Sequence, residues 1–162
     1  MSVNDSLPHV LVLPEDRANL QLATGFHLQV PWHRQRQMQV LRVAGGRNEV
    51  LGVFKSEHEV EMRRCRHRLM VLLIDFDGDT GRLTIAKRKI PADLTDRVFI
   101  LGAWTEPEAL RQAKLGSYET IGSAMAKDCR EETDSIWGHE LLRHNASELD
   151  RLRMHVRPIL FP

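Results

Sequence analysis

The chain has 162 residues, of which 42% are hydrophobic and 28% are charged, and its formal net charge is +1. These values fit one globular domain with a core of its own, and no window approaches the roughly 18 apolar residues of a membrane-spanning helix. The N-terminus lacks the basic and apolar regions of a signal peptide, and Cys65 and Cys129 lie far apart in no metal-binding spacing. A reduced, cytoplasmic protein is therefore expected.

Taken in chain order, the apolar periodicity predicts strands and helices in alternation. Residues 9–13 (HVLVL) indicate a short, β-branched strand that Pro14 ends. Residues 69–74 (LMVLLI) are the most apolar strand, and such a continuous run is typical of a parallel strand covered on both faces. The expected strands are 9–13, 38–44, 69–74 and 97–101, and the expected helices are 15–26, 49–64, 82–89, 106–114, 117–131 and 141–153.

Glycines and the chain end refine these bounds. Gly25 indicates an early end of the first helix, and Gly45-Gly46 ends the second strand. The last seven residues, VRPILFP, are unusually apolar for a chain end. We expect this C-terminal tail either to pack on the chain's own sheet or to bind a protein partner.

The alternation of strands and helices predicts an α/β fold, with a mostly parallel central sheet flanked by helices on both faces. The whole chain, 1–162, is expected to form a single domain. Its core would lie at about 8–115, followed by a helical extension at about 116–162. Because ligands of such sheets bind at the carboxyl ends of the strands, the functional residues are sought where strands end.

Acidic residues follow two of the predicted strands. Asp75, Asp77 and Asp79 alternate directly after the most apolar strand, and Glu15 follows the first strand. Converging carboxylates repel one another unless a cation neutralises them, and Mg²⁺ prefers carboxylate oxygens. Glu15 opposite Asp75 and Asp77 is therefore a candidate holder for Mg²⁺ or Mn²⁺, although Asp and Gly also favour tight turns that bind no metal.

Two segments, HVLVLPEDRANLQLATGF and LMVLLIDFDGDTGR, resemble the Toprim domain. This is the metal-binding α/β module of topoisomerases, bacterial primases, small maturation ribonucleases and overcoming-lysogenization-defect nucleases. The resemblance covers about residues 8–115 and implies Mg²⁺- or Mn²⁺-dependent cleavage of nucleic-acid phosphodiester bonds. It implies Glu15, Asp75 and Asp77 as catalytic residues and metal ligands. It also implies Asp79 as a further candidate metal ligand, and it leaves either Asp75/Asp77 or Asp77/Asp79 as the functional pair.

Four arginines precede the acidic strand: Arg63, Arg64, Arg66 and Arg68. A basic cluster of this kind is a candidate surface for the phosphates of DNA or RNA. The same residues are also compatible with an ordinary solvated surface. We retain the phosphate-binding role as the hypothesis that accompanies a nuclease.

Two other functions stay open. The glycine that usually follows the family glutamate is Asp16 here, and a common acidic position is Asn19. A catalytically degenerate Toprim-like subunit that binds a protein or nucleic-acid partner is therefore the first alternative. A haloacid-dehalogenase-like phosphatase is the second, because its motif reads Asp-x-Asp-Gly-Thr, but Asp79 stands between Gly78 and Thr80 in this chain.

Overall fold

The computed structural model describes residues 2–162, in which four strands alternate with helices. A 3₁₀ helix at Trp32–Gln37 precedes the second strand, and a π-helical turn at Phe54–His58 joins the second and third helices. The strands are β1 (His9–Pro14), β2 (Met38–Val40), β3 (Arg68–Leu73) and β4 (Val98–Leu101). The helices are α1 (Arg17–Leu28), α2 (Arg47–Val53), α3 (Glu59–Arg64), α4 (Gly81–Arg88), α5 (Pro107–Gln112), α6 (Tyr118–Glu131), α7 (Ala146–His155) and α8 (Arg157–Leu160).

The four strands form one parallel sheet in the order β2-β1-β3-β4. Alternate residues of β1 face opposite sides, so Val10 and Val12 enter one core and Leu11 and Leu13 enter the other. Both faces are apolar because both are covered. The predicted α/β fold, with helices around a parallel sheet, is confirmed.

The helices divide between the two faces of the sheet. Leu22 of α1, Ile121 of α6 and Leu152 of α7 belong to the first core. Val50 of α2 and Met62 of α3 belong to the second core. In the part of the chain that the structure describes, no helix has the length and apolar character needed to cross a bilayer.

Gly25 does not end α1, so that prediction was wrong. The helix continues to Leu28, and Gly25 lies against α6, where an added Cβ would be 2.1 Å from the carbonyl oxygen of Glu119. Gly122 of α6 is its counterpart, because a Cβ there would be 2.0 Å from the carbonyl oxygen of Leu22. The two glycines let the helix backbones approach closely.

The C-terminal tail packs on its own domain. After α7 the chain forms the short helix α8. Leu160 is 1% exposed and Phe161 is 6% exposed, and both belong to the first core. Of the two roles expected for this tail, packing within the chain is the one that the structure describes.

Helix α7 closes the β4 edge of the sheet. The buried carboxylate of Glu148 accepts a hydrogen bond from the backbone N–H of Ile100 at 2.9 Å. The side chain of Asn145 accepts one from the N–H of Gly102 at 3.2 Å. These side chains occupy the donors that a further strand would otherwise use.

Candidate functional site

Glu15 and Asp75 meet at the carboxyl end of the sheet. Each follows one of the adjacent parallel strands β1 and β3, whose register pairs Pro14 with Leu73. The backbone N–H of Asp75 donates to Oε2 of Glu15 at 2.6 Å. Parallel pairing of two strands thus brings together two acids that are sixty residues apart in the chain.

Asn19 connects Asp75 to the start of α1. Asp16 caps this helix by accepting the backbone N–H of Asn19 at 3.0 Å. The side-chain amide of Asn19 donates to Oδ1 of Asp75 at 3.0 Å and to Oδ1 of Asp16 at 3.1 Å. Asn19 is completely buried, so its amide fixes the rotation of the Asp75 carboxyl group.

Burial perturbs both carboxyl groups of the pair. Burial, together with the charge of Glu15, raises the pKa of Asp75 to about 7, against the hydrogen bond from Asn19. Burial also raises the pKa of Glu15, partly offset by the N–H of Asp75. A carboxyl group with a pKa near 7 is partly protonated at neutral pH, a property typical of functional sites.

Asp77 lies in the turn that follows Asp75 and is held by two arginines. Its φ of 49° is in the left-handed region, as is that of Gly78 at 70°, so the chain reverses sharply here. The carboxylate of Asp77 contacts Nη1 of Arg82 at 2.5 Å and Nη1 of Arg47 at 3.5 Å. The carboxylate of Asp77 is therefore paired with arginines of α4 and α2.

Asp79 precedes α4 and contacts its first two residues. Its Oδ1 accepts the backbone N–H of Gly81 at 2.8 Å, and its Oδ2 lies 3.8 Å from Nε of Arg82. Of the three aspartates, Asp75 is the one that hydrogen-bonds to Glu15. Asp75 thus lies beside the glutamate through its backbone, whereas Asp77 and Asp79 contact Arg82.

The site offers two carboxyl groups, Glu15 and Asp75, as a donor set. Among residues 2–162, no three side chains of His, Cys, Asp or Glu are arranged to hold a metal ion. Glu15 and Asp75 form a pair, and Mg²⁺ is commonly bound by one or two carboxylates together with waters and substrate phosphates. Burial and the neighbouring carboxylates raise the pKa of both groups, and the charge of Arg47 offsets part of the rise for Glu15.

The arginines predicted to bind phosphates lie at the opposite end of the sheet. They precede or begin β3, whereas Asp75 follows it, and a six-residue strand spans about 20 Å. Arg66 is exposed, and the other three contact acids: Arg63 with Asp93, Arg64 with Glu61, and Arg68 with Asp5. The structure therefore does not bring this cluster to the carboxyl end of the sheet, where Glu15 and Asp75 lie.

Sequence reasoning missed the arginines that do lie at the site. Arg47 follows Gly45-Gly46, a breaker that comes directly after a predicted strand, and Arg82 lies just after the acidic turn. Both positions are at carboxyl ends of strands, which is the signal that could have identified them. No feature of the sequence indicated that the amide of Asn19 donates hydrogen bonds to two acids.

Comparison of this chain with protein-family models, with curated proteins and with solved structures found no significant match. The function is therefore inferred from the residues at the strand ends and from their geometry.

Proposed function

We propose that this protein is a Mg²⁺- or Mn²⁺-dependent enzyme that cleaves nucleic-acid phosphodiester bonds. The observation that carries the proposal is the contact between Glu15 and Asp75 at the ends of adjacent parallel strands, where burial raises the pKa of both groups. The resemblance of the two acidic segments to the Toprim domain supports the same chemistry. A bound divalent ion would polarise the phosphate and activate a water molecule.

In this proposal Glu15 and Asp75 hold the ion, and their neighbours orient them. The N–H of Asp75 fixes Oε2 of Glu15, and the amide of Asn19 fixes Oδ1 of Asp75. Hydrogen bonds to the carboxylates that bind a metal are typical of metal sites, because they restrict the orientation of the ligands. Asn19 is thus assigned a positioning role.

The test is cleavage of labelled DNA and RNA with Mn²⁺ or with EDTA. Cleavage should require Mn²⁺ and should fall roughly 100-fold or more in Glu15→Gln and in Asp75→Asn, since each removes a charge that holds the ion. The exposed Asp150 provides the matched control, and Asp150→Asn should cleave like the wild type. Cleavage that persists in EDTA, or in both site variants, would contradict the proposal.

A catalytically degenerate binding subunit is the second candidate. The ion pairs of Asp77 with Arg47 and Arg82 favour it, because they neutralise one of the expected metal ligands within the chain. This candidate predicts that Mn²⁺ leaves the melting temperature unchanged. A Mn²⁺-dependent rise in Tm that Glu15→Gln abolishes would count against it, since only a ligand of the folded state stabilises in this way.

A further inference from the structure

We propose that Arg47 and Arg82 bind the substrate phosphate at this site, and that Asp77 is their counter-ion when no substrate is bound, not a metal ligand. This role rests on the proposed function for the location of the reacting phosphate. It assigns the phosphate contacts to residues at the carboxyl end of the sheet.

The fold places Arg47 next to Glu15 and Arg82 next to Asp77. Arg47 begins α2 directly after Gly46, and the N–H of Gly45 donates to the carbonyl oxygen of Glu15 at 2.9 Å. Burial raises the pKa of Glu15 and the charge of Arg47 offsets part of that rise, so the two groups lie within electrostatic reach of each other. Arg82 lies in the first turn of α4, which the acidic turn itself starts.

The carboxylates at the end of the sheet would repel a substrate phosphate unless cations lie beside them. A phosphodiester that approaches Glu15 and Asp75 meets two acids, and Asp77 adds a third charge to the same field. Arg47 and Arg82 are the basic side chains of the described chain that lie within 4 Å of the Asp77 carboxylate. They are placed to offset this repulsion with groups that suit phosphate oxygens.

The exposures of the three side chains favour exchange of Asp77 for a phosphate. Asp77 is 54% exposed, whereas Arg47 is 32% and Arg82 is 21% exposed. An ion pair with one partner this exposed is weak and is screened by salt. A guanidinium group can bind a phosphate through two parallel hydrogen bonds, which are stronger than the single contact that each arginine makes with Asp77. The arginines can therefore exchange the carboxylate of Asp77 for the phosphate of the substrate.

The test measures binding of fluorescently labelled single-stranded DNA and RNA in EDTA, where no metal-dependent cleavage occurs. Asp77→Asn should tighten binding about two- to fivefold, because it releases both arginines from an exposed ion pair. Arg47→Gln and Arg82→Gln should weaken binding and should each reduce the salt slope of log K by roughly one. Arg82→Lys keeps the charge and should retain most of that slope, and thermal melts check that each variant is folded.

Asp93→Asn is the matched control for Asp77→Asn. It makes the same change in net charge and releases Arg63 from an ion pair in which Asp93 is 56% exposed. Equal tightening in the two variants would show an effect of net charge alone and would overturn the proposal. Arginine variants that bind with wild-type affinity and salt slope, or a wild type without salt-dependent binding, would overturn it as well.

A cleavage assay separates this proposal from the proposed function. If Asp77 is only a counter-ion, Asp77→Asn keeps Mn²⁺-dependent cleavage, whereas loss of cleavage with unchanged binding in EDTA assigns Asp77 to the metal and overturns the inference. A wild type that binds but does not cleave contradicts the nuclease function. The binding comparison between Asp77→Asn and Asp93→Asn then still decides the role of the arginines.

Discussion

At the scale of single residues, the acidic site depends on how Asn19 and Glu15 constrain Asp75. A buried amide and a neighbouring carboxylate act on the pKa of Asp75 in opposite directions, and burial outweighs the amide. Asp75 therefore carries an electrostatic cost in the absence of a cation, which a bound divalent ion would relieve. Such a cost at a strand end is typical of a functional residue.

Asp75→Asn is expected to stabilise the metal-free protein at pH 8. The pKa of Asp75 is about 7 in the folded chain against an ordinary value of 3.8, so the folded state binds more protons than the unfolded state between these values. Wild-type stability therefore falls as pH rises from about 4 to 7. Asparagine cannot ionise, so the free energy of unfolding should rise by about 1 to 2 kcal/mol at pH 8, a figure reduced for partial exposure.

Urea denaturation in EDTA at pH 4 and pH 8 measures this effect. The difference between Asp75→Asn and the wild type should grow from pH 4 to pH 8. The same difference at both pH values would contradict the assigned pKa, and Asp150→Asn serves as the exposed control.

At the scale of elements, the packing of α1 against α6 sets the position of Asn19. Gly25 and Gly122 each lie under the backbone of the other helix, so the two helices cross without intervening side chains. The cap residue Asp16 and the bridging Asn19 are at the start of α1, which this contact holds against the sheet. A change at the helix contact thus affects the element that carries part of the site.

Gly122→Ala is expected to lower the free energy of unfolding by about 1 to 3 kcal/mol, because the new methyl group would meet the carbonyl oxygen of Leu22. Gly52 of α2 is the matched control, since nothing lies within 4 Å of a Cβ added there. Gly52→Ala should stabilise the chain by up to about 1 kcal/mol through its helix propensity. Thermal melts compare the two variants, and a Tm of Gly122→Ala at or above the wild-type value would contradict this packing.

At the scale of the whole molecule, helix α7 covers the β4 edge of the sheet. Glu148 of α7 binds the N–H of Ile100 and contacts Lys87 at 2.7 Å and Arg151 at 2.9 Å. Burial alone would raise the pKa of Glu148, but its hydrogen bonds with Lys87, Ile100 and Arg151 outweigh burial and lower it. The edge strand β4, helix α4 and helix α7 are therefore joined through one buried carboxylate.

Glu148→Ala is expected to destabilise the protein by about 2 to 3 kcal/mol, because it leaves the Ile100 N–H without its acceptor and Lys87 and Arg151 without their counter-charge. Glu148→Gln keeps an acceptor oxygen and should cost less. Because the folded pKa is lowered, the ionic part of this contribution is present above the ordinary value of 4.5 and is lost as pH falls through the folded pKa. Denaturation at pH 7 and pH 3 measures the difference in the free energy of unfolding between wild type and Glu148→Gln. This difference should be smaller at pH 3, and the same difference at both pH values would argue against the ion pairs.

The elements of the fold and the location of the acids follow from local signals in the sequence. Apolar runs such as 9–13 and 69–74 and the breakers around them are signals of this kind, and the strand-helix alternation implies parallel strands. Parallel strands place their carboxyl ends at one edge of the sheet, so the strand pattern predicts that Glu15 and Asp75 lie at the same edge. Their direct contact also requires β1 and β3 to be neighbours in the sheet.

The charges that accompany those acids depend on tertiary packing. The contact of Asn19 with Asp75 joins residues 56 positions apart, and Arg47 reaches Asp77 from another helix. Such contacts depend on how helices pack on the sheet, and the same sequence spacing is compatible with many packings. The arginine cluster at 63–68 shows why closeness in sequence does not predict closeness in space. The cluster is next to β3 in the chain, but it lies at the end of the strand opposite to Asp75. The local pattern of residues determines where a strand begins and ends and which residues follow it. Which side chains from different elements meet is determined by long-range packing.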